Sequence, residues 1–167
     1  MTDTTSRARG LTRRERLALD VGRWLDKRLT PLGIALYRAT RGEITRLYNV
    51  DALLLTTRGR RSGRDRTVVL QFFRDGDAML LAAANDGGAA HPGWYFNLVA
   101  SPEARVEVMG RRFGVRTEVL SPDEAAVAWR RILARAPSYE RYHRATTRVM
   151  PVVRLVPVAP EGRTGTP

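Results

Sequence analysis

The segment Leu53–Phe73, LLLTTRGRRSGRDRTVVLQFF, decides how the rest of the chain can fold. Its two arms, Leu53–Thr57 and Thr67–Phe73, are short and apolar, and the second is rich in β-branched and aromatic residues, so both are predicted to be strands. Between the arms, Gly59 and Gly63 permit the positive φ angles that a tight connection needs. The segment therefore predicts an antiparallel hairpin with a glycine-bounded loop at its tip.

The loop at the tip of this hairpin is rich in arginine. Five arginines share it with one serine and a single carboxylate, Asp65; they are Arg58, Arg60, Arg61, Arg64 and Arg66, with Ser62 among them. Crowded guanidinium groups repel one another, and their planar fork suits the oxygens of phosphate or carboxylate. From the loop alone, an anion-binding site and a solvated surface turn are equally good interpretations.

The composition favours one folded unit with a basic surface. The 167 residues include 29 basic and 17 acidic side chains, a formal net charge of +12, which suggests nucleic acid, an anionic membrane surface or a polyanionic small molecule as partner. The lack of cysteine excludes disulfides and thiolate chemistry, and the two histidines are not spaced for metal binding, so no metal site is expected. Without a spanning apolar run or a secretion signal, a cytoplasmic location is expected.

The first 49 residues divide into a polar tail and a basic segment. Residues 1–10 lack apolar periodicity and are expected to be disordered. In residues 11–49, Thr12 and Glu15 form a capping-box arrangement, and apolar residues then recur at helical spacing, which predicts an amphipathic helix ending near Pro31. Two interpretations stay open: the helix packs on the rest of the fold or on a partner in a homodimer, or it lies on the inner face of the cell membrane.

The rest of the chain adds further strands and two or three helices. Strands are predicted at Ala78–Ala84, Arg105–Met109, Phe113–Val119 and Met150–Val156, with turns at Arg74–Asp77 and Asn85–Gly88. Helices are predicted at His91–Leu98, from Ser121 to about Ala136, and within Ser138–Arg148. About six antiparallel strands without regular βα alternation indicate a mainly β barrel with flanking helices over residues 50–158. Residues 159–167 are expected to be a second disordered tail.

The sequence contains no recognisable hydrolytic or nucleotide-binding motif. What remains is the arginine loop, a glycine turn and an aromatic group consisting of Trp94, Tyr95, Tyr139 and Tyr142. These groups suit a flat, anionic ring cofactor that would carry the reaction itself. Tyrosines three residues apart are also typical of ordinary core packing, so the aromatic group alone does not decide between a cofactor site and a packed core.

Four motifs, in order over about residues 50–157, resemble the deazaflavin-dependent nitroreductase family. They are LLLTTRGRRSGRDR, RDGD, HPGWYFNLVASPEARVEV and PSYERYHRATTRVMPVVRL. The family consists of actinobacterial oxidoreductases that use reduced coenzyme F-420 on a split β-barrel of the FMN-binding type. The resemblance implies hydride transfer from reduced coenzyme F-420 to an electron-poor small molecule, which is a quinone, an enone or a nitro compound.

The resemblance also implies the residues of the site. Cofactor-binding positions fall on Arg60, Arg61, Ser62, Arg66, Ala84, Asn85, Gly87, Trp94 and Asn97, the basic pair Arg61 and Arg66 holding the phosphate and glutamate tail. Tyr139 and Tyr142 match substrate-pocket tyrosines of the family. The proton would come from a tyrosine hydroxyl, Tyr142 first and Tyr139 second, or from bound water. Ala84–Asn85 replaces a Ser-Lys pair of the best-known member and Ala145 replaces a third tyrosine, so acceptor specificity does not follow from the resemblance.

Two other interpretations stay open from the sequence. The same barrel can bind FMN or haem, because a fold does not fix its ligand. The net charge also suits a non-enzymatic module that binds nucleic acid or a membrane surface. However, the aromatic residues do not alternate with arginines along a strand, as a stacking platform for nucleic acid requires. A specific nucleic-acid partner is therefore not expected.

Overall fold

The computed structural model describes residues 30–158, in which seven antiparallel strands form one curled sheet. The order across the sheet is β2-β1-β5-β6-β7-β4-β3, and the predicted mainly β architecture is confirmed. The strands are β1 (Ala52–Arg58), β2 (Asp65–Gln71), β3 (Phe73–Asp75), β4 (Ala78–Ala82), β5 (Glu103–Val108), β6 (Arg111–Val119) and β7 (Val152–Pro157).

The helices of this described region lie at the ends and on the outer face of the sheet. They are α1 (30–39), α2 (Gly93–Ala100), α3 (Pro122–Arg135) and α4 (Glu140–Ala145), with 3-10 turns at Glu43–Tyr48, Asn85–Gly87 and Pro137–Tyr139. A capping box starts α3, because the Ser121 hydroxyl accepts from the Glu124 amide and the Glu124 carboxylate accepts from the Ser121 amide. The predicted helices at His91–Leu98 and Ser121–Ala136 are thus confirmed to within two residues at each end.

Successive side chains along each strand point to opposite faces of the curled sheet, an inner face and an outer face. Inner-face residues of β1, β4, β5, β6 and β7 pack with Trp94 and Leu98 of α2. On the outer face, Tyr37 of α1 covers one end of β1, and Ile132 of α3 covers β4 and β7. Burial of these apolar side chains on both faces is the main term that stabilises the sheet.

The second predicted strand is in fact two strands. The ladder with β1 ends at Phe72, whose amide still donates to the Asp51 carbonyl at 2.9 Å, and Phe73–Asp75 then pairs with β4. The predicted turn at Arg74–Asp77 is correspondingly shorter and is made by Gly76, with a φ of 61°. The sequence prediction of about six strands missed this break because the apolar run continues through it.

The predicted helix end near Pro31 falls at the border of the described residues, and residues 30–39 are helical. Proline lacks an amide donor, but its fixed φ is a helical one, so Pro31 is compatible with the helix that contains it. Here Ile34 and Tyr37, three residues apart, pack together on β1. The start of the predicted helix at Thr12 and the two predicted tails lie outside the described residues.

The two edges of the sheet, β2 and β3, follow each other in the chain. β3 has three residues and pairs with Ala78, Met79 and Leu80, so in the described structure the end of β4 has a strand neighbour only in β7. β2 likewise pairs only with β1. The barrel is therefore open between β2 and the end of β4, and this opening positions the site.

Candidate functional site

A cleft of about 1080 Å³ lies at the opening of the barrel. Its walls are β2, the arginine loop, the end of β4 with the turn after it, the start of α2 and the tyrosines near α4, and α1 lies at one end. The cleft brings together ten of the eleven site residues predicted from the sequence: Arg60, Arg61, Ser62, Arg66, Ala84, Asn85, Trp94, Asn97, Tyr139 and Tyr142. The eleventh, Gly87, is buried and does not line the cleft.

Glycine fixes the shape of the arginine loop between β1 and β2. The Gly59 amide donates to the Arg64 carbonyl at 2.8 Å, and the Gly63 amide donates to the Gly59 carbonyl at 2.7 Å. A Cβ atom on Gly59 would lie 3.0 Å from both the Arg64 carbonyl oxygen and the Ser62 hydroxyl oxygen, and Gly63 has a φ of +64°. A side chain at either position would strain this closed loop.

The arginines of the loop have different surroundings. The Arg60 guanidinium lies over the Phe96 ring, 4.8 Å from its centroid, and Asp65 is engaged by Arg105. Arg61 and Arg66 are exposed at the cleft, and neither forms an ion pair with a carboxylate within residues 30–158. Two cations without a counter-ion therefore face the cleft and can bind an anionic ligand.

Asn97 connects α2 to the arginine loop. The side chain is 9% exposed; its Nδ2 donates to the Thr57 hydroxyl at 3.0 Å, and its Oδ1 accepts from the Arg60 amide at 3.2 Å. Thr57 is 2% exposed, so this contact lies in the interior at the end of β1. Asn97 thus reaches the edge of the cleft and also holds the start of the loop in place.

The turn after β4 has an unusual backbone. Asn85, Asp86 and Gly87 have φ angles of 48°, 50° and 71°, and the Asn85 amide group donates to the Ala90 carbonyl at 2.8 Å. A Cβ atom on Gly87 would lie 2.5 Å from the Cβ of Ala145. Gly87 therefore allows α4 to approach the turn, which brings Asn85 and Asp86 beside the tyrosines.

The two tyrosines pack edge to face, with ring centroids 5.2 Å apart. Tyr139 also contacts Phe73 and Trp129, and its burial raises the pKa of its hydroxyl, as do the nearby Tyr142 and Asp86. Burial likewise raises the pKa of Tyr142, although a hydrogen bond from Arg141 opposes this effect. Both hydroxyls are therefore protonated at neutral pH and can donate a proton.

Two arginines of the site were missed in the sequence. Arg141 donates to the Tyr142 hydroxyl at 3.1 Å and lies over the same ring, 5.0 Å from its centroid. Its position next to Tyr142 was the available signal. Arg148 donates to the main-chain carbonyls of Ala83 and Gly88. Main-chain carbonyls are present at every position, so no residue type in the sequence indicates this role of Arg148.

The described residues contain no group of three histidine or acidic side chains that could hold a metal ion. Within residues 30–158, no helix has the length and apolar character needed to cross a bilayer.

Comparison with known proteins identifies several similar chains. The family model described as F420H(2)-dependent quinone reductase matches residues 31–157. The F420H(2)-dependent quinone reductase of Mycobacterium tuberculosis (strain H37Rv) is 37% identical over 146 residues, which cover 82% of this chain and 98% of that protein.

Solved structures share the fold. A structure described as an F420-H2 dependent reductase (FDR-A) aligns with a TM-score of 0.57 at 28% identity, covering 63% of this chain and 93% of its own. A chain described as a domain-swapped dimer aligns with a TM-score of 0.58 at 24% identity, covering 86% of this chain and 99% of its own.

Proposed function

Because the chain belongs to the family of F420H(2)-dependent quinone reductases, we propose that it reduces a quinone with hydride from reduced coenzyme F-420. The predicted deazaflavin family, the oxidoreductase class and the cofactor are confirmed by that membership. Coenzyme F-420 is therefore favoured over FMN or haem. The single observation that carries the proposal is the pair Arg61 and Arg66 at one end of the cleft.

The described residues fit the cofactor that the family uses. Coenzyme F-420 carries a phosphate and a glutamate tail, and Arg61 and Arg66 face the cleft without a carboxylate partner in the described chain. Ser62 lies beside them and adds a hydroxyl donor. We propose that the tail lies along this basic end and that the arginine loop is its anchor.

The apolar and aromatic part of the cleft lining suits a flat ring system. Ala82, Ala84, Trp94, Tyr139 and Tyr142 all line the cleft, and the short side chains of the two alanines take up little of its volume. When bound there, reduced coenzyme F-420 would supply a hydride from ring carbon C5. Pockets that bury most of a ligand commonly have volumes of roughly 300–1,000 Å³, so a cleft of about 1080 Å³ can hold the ring and an acceptor together.

Reduction of a quinone to a hydroquinone consumes one hydride and one proton, and we propose that Tyr142 donates the proton. Arg141 donates into the Tyr142 oxygen, so the hydroxyl proton of Tyr142 must point away from Arg141. Like any tyrosine hydroxyl, that of Tyr142 is protonated at neutral pH, and burial raises its pKa further. The negative charge that hydride addition places on the quinone oxygen would therefore have to drive the proton transfer. Tyr139, which packs between Phe73 and Trp129, is the second candidate.

The decisive experiment is a fluorescence titration of the protein with oxidised and reduced coenzyme F-420. We expect Arg61→Ala combined with Arg66→Ala to weaken binding by well over about tenfold, since each lost charge-assisted contact costs about 1.5–3 kcal/mol. The control is Arg111→Ala with Arg116→Ala, which removes the same charge from exposed positions on β6. Equal affinity of the two double variants would refute the role given to the loop.

The identity of the acceptor and the predicted contacts of the N-terminal segment stay predictions. Parallel assays with menadione, a cyclic enone and a nitroimidazole would test the proposed preference for a quinone. Residues 11–29 lie outside the described chain, so homodimer formation and membrane contact need direct measurement. Analytical ultracentrifugation and flotation with anionic vesicles, each with and without residues 1–29, would test them.

A further inference from the structure

The guanidinium group of Arg148 is surrounded by main-chain carbonyls. Nε donates to the Gly88 carbonyl at 2.8 Å, and Nη1 donates to the Ala83 carbonyl at 3.1 Å and lies 2.9 Å from Nδ1 of His91. Nη2 donates to the Ala84 carbonyl at 2.5 Å. No carboxylate within residues 30–158 forms an ion pair with this half-buried cation. Such an arrangement uses the planar donor fork that distinguishes arginine from lysine.

These bonds hold both ends of the turn after β4. Ala83 and Ala84 precede the turn and Gly88 follows it, while Asn85 and Asp86 in between have positive φ angles. Asparagine and aspartate adopt that conformation more readily than other residues with a side chain, but it still costs free energy relative to glycine. By holding the carbonyls on both sides of the turn, Arg148 stabilises this backbone, even though its own side chain is not part of the cleft wall.

The same guanidinium group also reaches the start of α2. His91 stands two residues before the helix and packs against Tyr95 and Phe96, and the helix carries Trp94 and Asn97 into the cleft. Because Nδ1 of His91 faces an arginine donor, the histidine accepts that hydrogen bond in its neutral form. Arg148 therefore connects the turn beside the proposed ring site to the helix on the neighbouring wall.

We propose that Arg148 is a positioning residue for hydride transfer. It fixes the turn at residues 84–88 and the start of α2 in the spacing that the ring and the acceptor require, without contacting either ligand. The inference rests on the proposed function, and it concerns the rate of the reaction. Cofactor affinity is assigned to Arg61 and Arg66 at the other end of the cleft.

The test compares Arg148→Ala and Arg148→Lys with Arg144→Ala as a matched control. Arg144 is an exposed arginine of α4, so its replacement removes the same charge without touching the turn. In the ligand-free protein we expect Arg148→Ala to speed amide hydrogen exchange across residues 84–91 by about tenfold or more, because local opening becomes easier. The control variant is expected to exchange like the wild type there.

Steady-state kinetics with reduced coenzyme F-420 and menadione provide the second readout. We expect Arg148→Ala to lower kcat by roughly tenfold to 100-fold, since small displacements of reacting groups have effects of that size. The dissociation constant for coenzyme F-420 should stay within about threefold of wild type, which is under 1 kcal/mol. Millimolar guanidinium ion should restore part of kcat in Arg148→Ala, whereas urea, a neutral molecule of similar shape, should not.

Three results would overturn the proposal: exchange across residues 84–91 like that of Arg144→Ala, an unchanged kcat, or a lost kcat that guanidinium does not restore. If Arg148→Ala does not fold, Arg148→Lys carries the test, with a smaller change in the same direction for exchange and kcat. If the wild type fails to bind coenzyme F-420, the proposed function fails. The exchange comparison on the ligand-free protein then still decides whether Arg148 holds the turn.

Discussion

Replacing Asn97 with leucine tests whether α2 holds the arginine loop in place. The substitution keeps the branched shape and the number of heavy atoms of the side chain but removes both hydrogen bonds, one to the Thr57 hydroxyl at 3.0 Å and one from the Arg60 amide at 3.2 Å. The Thr57 hydroxyl is buried and would lose this partner, which costs about 1–2 kcal/mol. The Arg60 amide lies near the surface where water can replace the bond, so it adds about 0.5 kcal/mol.

We therefore expect the free energy of unfolding of Asn97→Leu to be lower than that of the wild type by about 2 kcal/mol. Urea denaturation followed by tryptophan fluorescence measures this value. Thr57→Val removes only the first bond, and a double-mutant cycle of the two substitutions should give a coupling of about 1 kcal/mol. Ser62→Ala, at an exposed loop position, is the control and should unfold like the wild type.

The same variant should bind coenzyme F-420 about tenfold more weakly, or about 1.4 kcal/mol, because the loop that carries Arg61 would lose its support. Binding is measured by the fluorescence titration described above, well below the unfolding midpoint. A zero coupling energy between Asn97 and Thr57, with wild-type affinity for the cofactor, would refute the reasoning. The loop would then be held by its own glycine turn alone.

Three further outcomes are expected. Gly87→Ala should lower the free energy of unfolding by more than about 2 kcal/mol. Gly76 has a similar φ but open space around it, so Gly76→Ala should lower it by only about 1 kcal/mol. Urea denaturation of the two variants measures the difference. Tyr142→Phe should lower kcat with menadione by about 10²-fold at unchanged cofactor affinity, and an unchanged kcat would assign the proton to another donor. Burial lowers the pKa of His91 below its ordinary 6.5, so stability should fall as the pH drops below about 6.5, and His91→Gln should flatten that slope.

The hairpin and its loop could be predicted because the relevant signals are local. Leucine and β-branched residues define β1 and β2, and glycines at positions 59 and 63 define the connection between them. The helix at Ser121 was equally predictable, since its capping box lies within four residues. Where neighbouring residues determine the backbone conformation, the sequence pattern is sufficient to predict the element.

The elements that were missed depend on contacts between distant residues. At Phe72 the chain leaves the ladder with β1, in which its amide donates to the Asp51 carbonyl twenty-one residues earlier, and Phe73–Asp75 pairs with β4 instead. The apolar run that crosses this break gives no sign of it. Arg148 has its carbonyl partners about sixty residues away. Main-chain carbonyls are the same at every position, so no residue type in the sequence marks them as partners.

Ten of the eleven predicted site residues line one cleft, but the sequence does not show what each of them contacts. Composition alone does not decide whether the arginine loop is an anion-binding site or a surface turn. The resemblance carried by four motifs in order favours the anion-binding site. The structure adds that Arg60 lies on Phe96 while Arg61 and Arg66 face the cleft. That division of roles among adjacent arginines depends on the position of α2, which no local pattern contains.

The opening between β2 and the end of β4 also bears on solubility. An edge strand offers unpaired backbone groups to strands of other molecules, and proteins commonly protect such edges with charged side chains. β2 begins with the exposed charges Asp65 and Arg66 at the end of the strand nearest the arginine loop. The arginine proposed to attract the cofactor would therefore also act as a gatekeeper against aggregation while the cleft is empty.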